Sequence, residues 1–328
     1  MKVQSSKLKV KNFNLKLKIF LFTILFLIFN IGNANAQELS VSIDPPIFQI
    51  NAEAPADVTA PLSVSNLSDQ TITYSIFLMP FRSSGAEESE VEFDRSLLPE
   101  YEDIFKRVRI IDEGIPVTSV ILSPRENKNL TLRITLPEGE KPKDYYFSVL
   151  FVTGGTENDL AGSASLARGG IGTNVLLSVG PKSETKGSIR QFLGPKIVTK
   201  GPVEFILSIF NESAHYITID GHVVIKNMFG HKVGVIDLVP ANILSLSERM
   251  IESENNKNTL PRVVFDEGFL LGFYTADLTV SLSEDGPILT RTLTFFAFPI
   301  QAMLILGAGS IVIIFMVSRV RRKRDQIS

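Results

Sequence analysis

The stretch SVSNLSDQTITY, residues Ser63–Tyr74, is matched without a gap by SIFNESAHYITI, residues Ser208–Ile219. In each copy, β-branched and apolar residues flank an Asn-x-Ser turn, so each half of the chain should contain two strands joined by the same turn. Such a repeat indicates tandem copies of one fold. Five of the twelve positions are identical: Ser63/Ser208, Asn66/Asn211, Ser68/Ser213, Ile72/Ile217 and Thr73/Thr218.

The rest of the region between Gln37 and Phe298 also consists of short β-rich runs separated by turn residues. In NLTLRITL, residues Asn129–Leu136, every second residue is Leu or Ile, which is typical of a strand with one buried face. Strands are predicted near 39–43, 58–65, 71–79, 117–122, 129–136, 145–152 and 171–179, and near 203–210, 216–226, 231–238, 243–251, 262–265, 273–282 and 288–296.

These patterns predict an all-β protein with two tandem immunoglobulin-like β-sandwiches and one C-terminal transmembrane helix. Turn and breaker residues at Gly180–Ser183 mark the break between the sandwiches. The expected segments are a signal peptide at 1–36, a first sandwich at 37–181, a second sandwich at 182–298, a transmembrane helix at 299–318 and a basic cytoplasmic tail at 319–328.

The N-terminus has the layout of a secretory signal peptide. Six lysines precede a 13-residue apolar run, Ile19–Ile31, and Ala34 and Ala36 give the small-x-small pattern of a cleavage site. Cleavage between Ala36 and Gln37 is therefore predicted. The alternative is an uncleaved membrane anchor.

The C-terminus has the layout of a membrane anchor. Phe295–Val317 comprises 23 residues without a charge, enough to cross about 30 Å of hydrocarbon. The basic residues that follow should stay on the cytoplasmic side, so the protein is expected in the cell membrane as a single-pass protein with its N-terminal domains outside. These stop-transfer residues are Arg319, Arg321, Arg322, Lys323 and Arg324.

Charge and composition exclude several classes of function. Without the six N-terminal lysines and the C-terminal tail, the chain contains 22 basic and 34 acidic residues. A nucleic-acid partner is not expected, because its phosphates would require an excess of positive charge. With no cysteine in the chain, disulfides, thiolate nucleophiles and Cys-bound metals are ruled out.

The search for catalytic or metal-binding groups leads to no site. The segment GHVVIKNMFGHKVGV is expected to turn at Asn227–Gly230, pairing Lys226 with His231 and His222 with Val235. The two imidazoles would then lie about 14 Å apart. Neither a Gly-x-Ser-x-Gly nor a His-Glu-x-x-His motif occurs. We therefore expect a protein that is not an enzyme and has no cofactor.

One long insertion, Arg82–Arg107, stands out in the first sandwich. Its acidic run, Glu87–Asp94, lacks the spacing of a calcium-binding loop, so a solvated loop is the favoured interpretation. A short helix is expected after Pro99, with Tyr101 and Phe105 on one face. This face is predicted either to contact a partner or to cap the end of its own sandwich.

The layout of the whole chain resembles that of bacterial WxL-interacting proteins. The patterns PLSVSNLSDQTITYSI, VILSPRENKNLTLRITLPEG and DYYFSVLFVTGG are similar to the first domain of that family and to the N-terminal domain of pilus chaperones. FILSIFNES, GHVVIKNMFGHKVGVIDL and GFYTADLTVSL resemble the immunoglobulin-like repeats of bacterial surface proteins. The WxL resemblance implies peptidoglycan binding by the first domain and protein binding by the second.

Three functions remain open. The favoured one is a non-enzymatic, membrane-anchored cell-surface protein that binds other surface components, namely proteins and, as the WxL resemblance implies, peptidoglycan. The alternative is an assembly chaperone that donates a strand to surface subunits. A hydrolase with dispersed carboxylates, such as Glu92 and Asp94, is the third. The chaperone hypothesis is motivated by the alternation of Ile171, Val175, Leu177 and Val179.

Overall fold

The computed structural model describes residues 41–85, 91–153, 170–181 and 184–325. Strands make up most of this part of the chain, which confirms the all-β prediction. The strands form four sheets around two main hydrophobic cores. We call residues 41–179 the first sheet pair and residues 187–297 the second sheet pair.

The first sheet pair contains eleven strands in its described part and one short helix. One sheet has the order β1-β3-β9-β6-β7, and the other has the order β2-β11-β10-β4-β5, with β8 pairing with β4. The elements are β1 Val41–Asp44, β2 Ile47–Ala52, β3 Ala56–Asn66, β4 Ile72–Ser83, β5 Val91–Phe93, α1 Leu98–Phe105, β6 Val108–Asp112, β7 Ile115–Val117, β8 Ser119–Leu122, β9 Asn127–Leu136, β10 Lys143–Thr153 and β11 Gly170–Val179.

The second sheet pair contains ten strands and is followed by a long helix. One sheet has the order β12-β14-β18 with β19 beside β14, and the other has the order β13-β21-β20-β15-β16 with β17 beside β15. The elements are β12 Gly187–Leu193, β13 Ile197–Val198, β14 Val203–Asn211, β15 Ile217–Asn227, β16 Lys232–Asp237, β17 Ala241–Ile243, β18 Glu248–Ile251, β19 Val263–Phe265, β20 Gly272–Ser281, β21 Ile288–Ala297 and α2 Ile300–Asp325.

Alternating apolar residues build both cores, as the pattern predicts. In β9, Leu130, Leu132, Ile134 and Leu136 are buried between the two sheets of the first pair. The intervening residues of β9 are exposed or half-buried. The side chain of every second residue thus leaves water, and this removal of apolar surface is the main stabilising contribution of the strand.

Two predicted strands are each divided in two. The run 117–122 passes from one sheet to the other, since β7 pairs with β6 and β8 pairs with β4. The run 243–251 is interrupted by a turn in which Leu246 has a positive φ of 51° and the Ser247 N–H donates to the Leu244 carbonyl. Five short or irregular strands were not predicted: β2, β5, β6, β12 and β13.

The predicted register of the histidine hairpin is wrong. Lys226 pairs with Lys232, and His222 pairs with Asp237 across a β-bulge. The Asn227 side chain accepts hydrogen bonds from two N–H groups of the turn, which lengthens the turn by one residue. Within the described residues, no group of three His, Asp or Glu side chains is placed to hold a metal ion.

The repeated Asn of the sequence has the same structural role in both copies. In the first, Asn66 is fully buried, and its Nδ2 donates to the carbonyls of Gln70, Leu122 and Ser123 at 2.7, 3.2 and 2.9 Å. Its Oδ1 accepts from the N–H of Ser68 at 3.0 Å. The side chain thus joins the turn after β3 to the turn after β8.

In the second copy, Asn211 is also fully buried and donates from Nδ2 to the carbonyls of His215, Ile243 and Leu244 at 2.8, 3.0 and 3.0 Å. Its Oδ1 accepts from the Ser213 N–H at 2.8 Å. We call each set of bonds an Asn corner. The two corners explain why Asn recurs at the same place in the repeat.

The C-terminal apolar run begins inside the second sheet pair and not in a helix. Phe295 is buried in the core and β21 continues to Ala297, so the helical part of the run starts at Ile300. The helix also extends to Asp325, past the predicted boundary at residue 318. Within the described residues, no helix is both long enough and apolar enough to cross a membrane.

Candidate functional site: a cleft between the two sheet pairs

The sheet formed by β2, β11, β10, β4 and β5 is apolar on both faces. Its inner face builds the first core, and its outer face carries apolar side chains where a solvent-exposed sheet would carry polar ones. Burial of this outer face therefore requires a further covering element. The outward residues are Phe77, Met79, Phe81, Tyr146, Leu150, Val152 and Leu176.

The second sheet pair covers one part of this outer face. Phe81 and Leu176 pack with Tyr216 and Leu244, and all four side chains are buried. Tyr146 stacks on Phe81 with ring centroids 6.3 Å apart. The two sheet pairs are therefore joined by an apolar contact and not only by the linker.

Polar groups reinforce this contact around Asp144. Its Oδ2 accepts hydrogen bonds from the Tyr216 backbone N–H at 2.7 Å and from the Tyr146 hydroxyl at 2.6 Å. The Ser245 N–H donates to the same hydroxyl at 3.1 Å. Burial, with the Asp144 charge nearby, raises the pKa of Tyr146 above its ordinary value and raises the pKa of Tyr216 to about 12.

The raised pKa values predict a loss of stability at alkaline pH. In the unfolded chain a tyrosine ionises near pH 10, whereas the folded protein keeps Tyr216 neutral up to about pH 12. The stabilisation from Tyr216 is complete below pH 10, and this residue alone should lower the free energy of unfolding by up to about 1.4 kcal/mol per pH unit between pH 10 and 12, with Tyr146 adding to the slope. Urea unfolding of residues 37–298 at these pH values measures the slope, and Tyr216→Phe should reduce it. An equal slope in the variant would contradict the assignment.

Beside this contact lies a cavity of about 450 Å³. Its volume falls within the range of known ligand sites. Side chains from both sheet pairs line it: Ile47, Phe81, Val91, Phe93 and Leu176 from the first, and Asn242, Leu244 and Arg249 from the second. We call this cavity the cleft.

Among the described residues that line the cleft, Arg249 alone carries a positive charge. Its guanidinium donates to the Asn242 carbonyl at 2.8 Å, and burial lowers its pKa, with the charge of Glu252 acting in the opposite direction. Arg249 takes part in none of the ion pairs that we find among the described residues. An arginine keeps its charge at neutral pH, so its remaining N–H groups are available to an oxygen of a ligand.

Two edge strands supply side chains to the cleft wall. Within the described residues, β5 pairs only with β4, and β18 pairs only with β14. Each strand therefore has one edge whose backbone N–H and C=O groups can pair with an added strand. An apolar cavity flanked by such edges suits an extended peptide segment better than a small rigid ligand.

The structure places the predicted contact residues in the first core. Tyr101 is buried and packs edge-on against Tyr145, and Phe105 packs edge-on against Phe147. The Tyr101 hydroxyl accepts a hydrogen bond from the Tyr146 N–H at 3.0 Å. This arrangement favours the capping role over the partner-contact role.

The other predicted residues lie away from the cleft or outside the described residues. Ala36 and Gln37 lie outside them. Arg319 is exposed on α2, whereas the side chains of Arg321, Arg322, Lys323 and Arg324 belong to the part left undescribed. The carboxylates of the hydrolase hypothesis both pair with Arg82, at 3.2 Å for Glu92 and 3.4 Å for Asp94, and Asp94 also caps a helical turn.

The apolar alternation in β11 serves the protein's own core. Val175, Leu177 and Val179 are buried there, and Ile171 packs against them. The edge of β11 is paired in parallel with β2 from Asn174 to Val179. The alternation is therefore accounted for by the protein's own core, and it is not by itself a signal of strand donation.

Sequence reasoning missed the cleft residues. The sequence of β11 does indicate an apolar outer face, because Leu176 stands between Val175 and Leu177 and breaks the alternation of apolar and polar residues. In β4 and β10, similar runs place apolar side chains on both faces. Such runs indicate a sheet that is covered on both sides. They do not indicate which distant element, such as Arg249, completes the site.

Comparisons with known proteins give no family for the chain. No family model matches the sequence, and no curated protein matches it, so the resemblance to WxL-interacting proteins rests on sequence patterns alone.

Several solved chaperone structures match the chain at low identity and low TM-score. The Pseudomonas aeruginosa chaperone CupB2 is 9% identical, with 76% of this chain and 98% of that chain covered and a TM-score of 0.34. The E. coli chaperone DraB is 12% identical, with 77% and 95% covered and a TM-score of 0.31. The YadV chaperone is 10% identical, with 78% and 100% covered and a TM-score of 0.32. Similarity at this level transfers no function to this chain.

Proposed function

We propose that this protein is a non-enzymatic binding protein that holds an extended segment of another exported protein in the cleft, as an assembly chaperone does. A partner segment would add its backbone to the edge of β5 or β18 and place apolar side chains against Phe81 and Phe93. Arg249 would donate to a carbonyl or carboxylate oxygen of that segment.

The observation that carries the proposal is the combination of features in the cleft wall. Apolar side chains supply most of the contact area, two unpaired strand edges supply backbone hydrogen bonds, and Arg249 supplies charge. The proposal uses the cleft as the binding site and does not require donation of β11.

A charge placed in the cleft should abolish partner binding. Val91 is exposed on the cleft wall, so Val91→Glu should leave the fold intact while desolvation of the new carboxylate weakens binding at least about tenfold. The measurement is recovery of exported proteins that copurify with the full chain from its own cells. As the matched control, Ile115→Glu changes an exposed residue of β7 outside the cleft and should leave recovery unchanged. Equal recovery with both variants would contradict the proposal.

The proposed topology follows from the sequence. Residues 1–36 direct export and are removed before Gln37, and the C-terminal segment holds the protein at the membrane with the basic tail inside. Because β21 takes up Phe295–Ala297, the apolar part of the helix begins only at Ile300, and it ends at Val317 before the basic residues. N-terminal sequencing that finds Met1 on the mature protein would contradict the cleavage.

The two sheet pairs are proposed to be tandem immunoglobulin-like sandwiches. Each has its own core, so residues 37–181 and 182–298 expressed separately should each unfold cooperatively. Reductant should not change either melting curve, since the chain has no cysteine. Circular dichroism during heating measures both. If neither half unfolds cooperatively, the domain assignment is wrong.

Peptidoglycan binding is a second proposed activity of the first sheet pair. It comes only from the resemblance to WxL-interacting proteins. Sedimentation of residues 37–298 with purified peptidoglycan tests it directly. Recovery of the protein in the pellet would support a fixed surface receptor, and its absence would leave protein binding as the activity.

A further inference from the structure

The exposed phenylalanines of the described strands and loops lie together at one end of the second sheet pair. Phe229, Phe269, Phe273 and Phe298 are 74%, 63%, 60% and 37% exposed. Phe229 lies in the turn after β15, Phe269 and Phe273 flank the start of β20, and Phe298 follows the end of β21. The register brings these places together, because Asn227 pairs with Tyr274 and Gly272 pairs with Ala297. We call this set the aromatic end.

Further apolar groups make the aromatic end continuous. Phe296 lies 4.8 Å from Phe273 and 6.4 Å from Phe298, measured between ring centroids. Exposed Met228 and Leu271 add to the same surface. Soluble proteins seldom expose so many large apolar groups side by side, so a patch of this kind marks an interaction surface.

The opposite end of the same sheet is polar. The turn between β20 and β21 carries Glu284 and Asp285, and Asp220 lies at the start of the neighbouring strand β15. The exposed aromatic rings of this sheet therefore lie at the end from which α2 leaves, whereas the opposite end carries carboxylates beside the single exposed Ile288.

We propose that the aromatic end rests in the headgroup region of a lipid bilayer. This inference rests on the membrane attachment proposed above. It adds that the second sheet pair itself contacts lipid and that this contact fixes its orientation relative to the bilayer.

The short connection to α2 argues for lipid as the occupant. Ala297 is fixed in the core and α2 begins at Ile300, so the two Cα atoms are at most about 11 Å apart. The apolar side chains described on α2 are exposed, including Leu304 and Ile305. If they lie in hydrocarbon, the aromatic end must lie within the interfacial layer, which is about 5–8 Å thick on each side.

The charges at this end are compatible with lipid headgroups. Lys196, Lys200 and Lys232 are exposed near the aromatic residues, and lysine near a bilayer surface attracts anionic lipids. Asp266 and Glu267 lie in the same region and oppose part of that attraction. The apolar rings are therefore expected to contribute most of the contact.

A single tryptophan can report on this contact, because the chain contains none. Phe229→Trp places it at the aromatic end, and Ile288→Trp places it at the other end of β21, at a residue that is 65% exposed. The full chain is reconstituted into phosphatidylcholine–phosphatidylglycerol vesicles that contain a lipid spin-labelled near the headgroup. We expect at least about twofold quenching for Phe229→Trp and little for Ile288→Trp, with the reverse order for aqueous iodide.

Three results would overturn the inference. Equal iodide quenching of both variants on floating vesicles would show that the aromatic end is in water. Protection of Phe229→Trp from both quenchers, dependent on protein concentration, would show that a second copy covers it. Failure of the wild-type chain to float with the vesicles would overturn the membrane attachment and the inference with it. Only the last result bears on the proposed topology.

Discussion

Replacing Tyr101 and Phe105 together by alanine should unfold the first sheet pair. Both rings pack against the core, where they contact Tyr145 and Phe147. Loss of a buried aromatic ring costs about 3–5 kcal/mol, and the half-buried second ring adds to this. The expected loss of at least about 5 kcal/mol approaches the whole stability of a typical domain. Urea unfolding of residues 37–298 measures it.

The control for this pair is an equal truncation of exposed apolar side chains. Ile115 and Ile121 are exposed, so their double alanine variant should change the free energy of unfolding by less than about 1 kcal/mol. An unchanged melting curve for the aromatic variant, with loss of partner binding, would reverse the assignment and restore the partner-contact role of Tyr101 and Phe105.

Asn211→Ala should destabilise the second sheet pair by about 3–4 kcal/mol. The change removes the amide whose two N–H groups are shared among the buried carbonyls of His215, Ile243 and Leu244. It also removes the Oδ1 that accepts from the Ser213 N–H. Each lost bond contributes about 1 kcal/mol, and an unpaired buried acceptor adds a desolvation cost. Asn211→Asp should be at least as harmful, since a carboxylate would face the same carbonyls.

Exposed Asn127 provides the matched control for the Asn corner. Its Oδ1 accepts one hydrogen bond, from the Ser63 hydroxyl at the protein surface. Asn127→Ala should therefore cost no more than about 1 kcal/mol. Similar losses for Asn127→Ala and Asn211→Ala in urea unfolding would contradict the structural role assigned to the repeated Asn.

Local patterns made much of the fold predictable. Alternation in β9 and the Asn-x-Ser turns depend on residues close in sequence, and both are found in the structure. The parallel pairing of β2 with β11 joins strands more than a hundred residues apart. No turn motif signals such a pairing, so β2 could not be placed from the sequence.

The candidate site was less predictable than the fold. Tyr101 and Phe105 were correctly placed on one face of a short helix, but spacing along the helix does not show which side of it meets the core. The cleft brings Val91 near Arg249 through packing of the two sheet pairs. Neither residue belongs to a sequence motif. The sequence could have revealed only that the sheet containing β11 is apolar on its outer face, because apolar residues follow one another around Leu176.

Site-specific photocrosslinking tests the central claim most directly. A benzophenone side chain replaces Val91 in the cleft or Ile115 outside it, and the full chain is irradiated in its own cells. The account predicts crosslinks from position 91 to one short, alternating apolar segment of an exported protein, and none to that segment from position 115. Identical crosslinks from both positions, or none from position 91, would contradict peptide binding in the cleft.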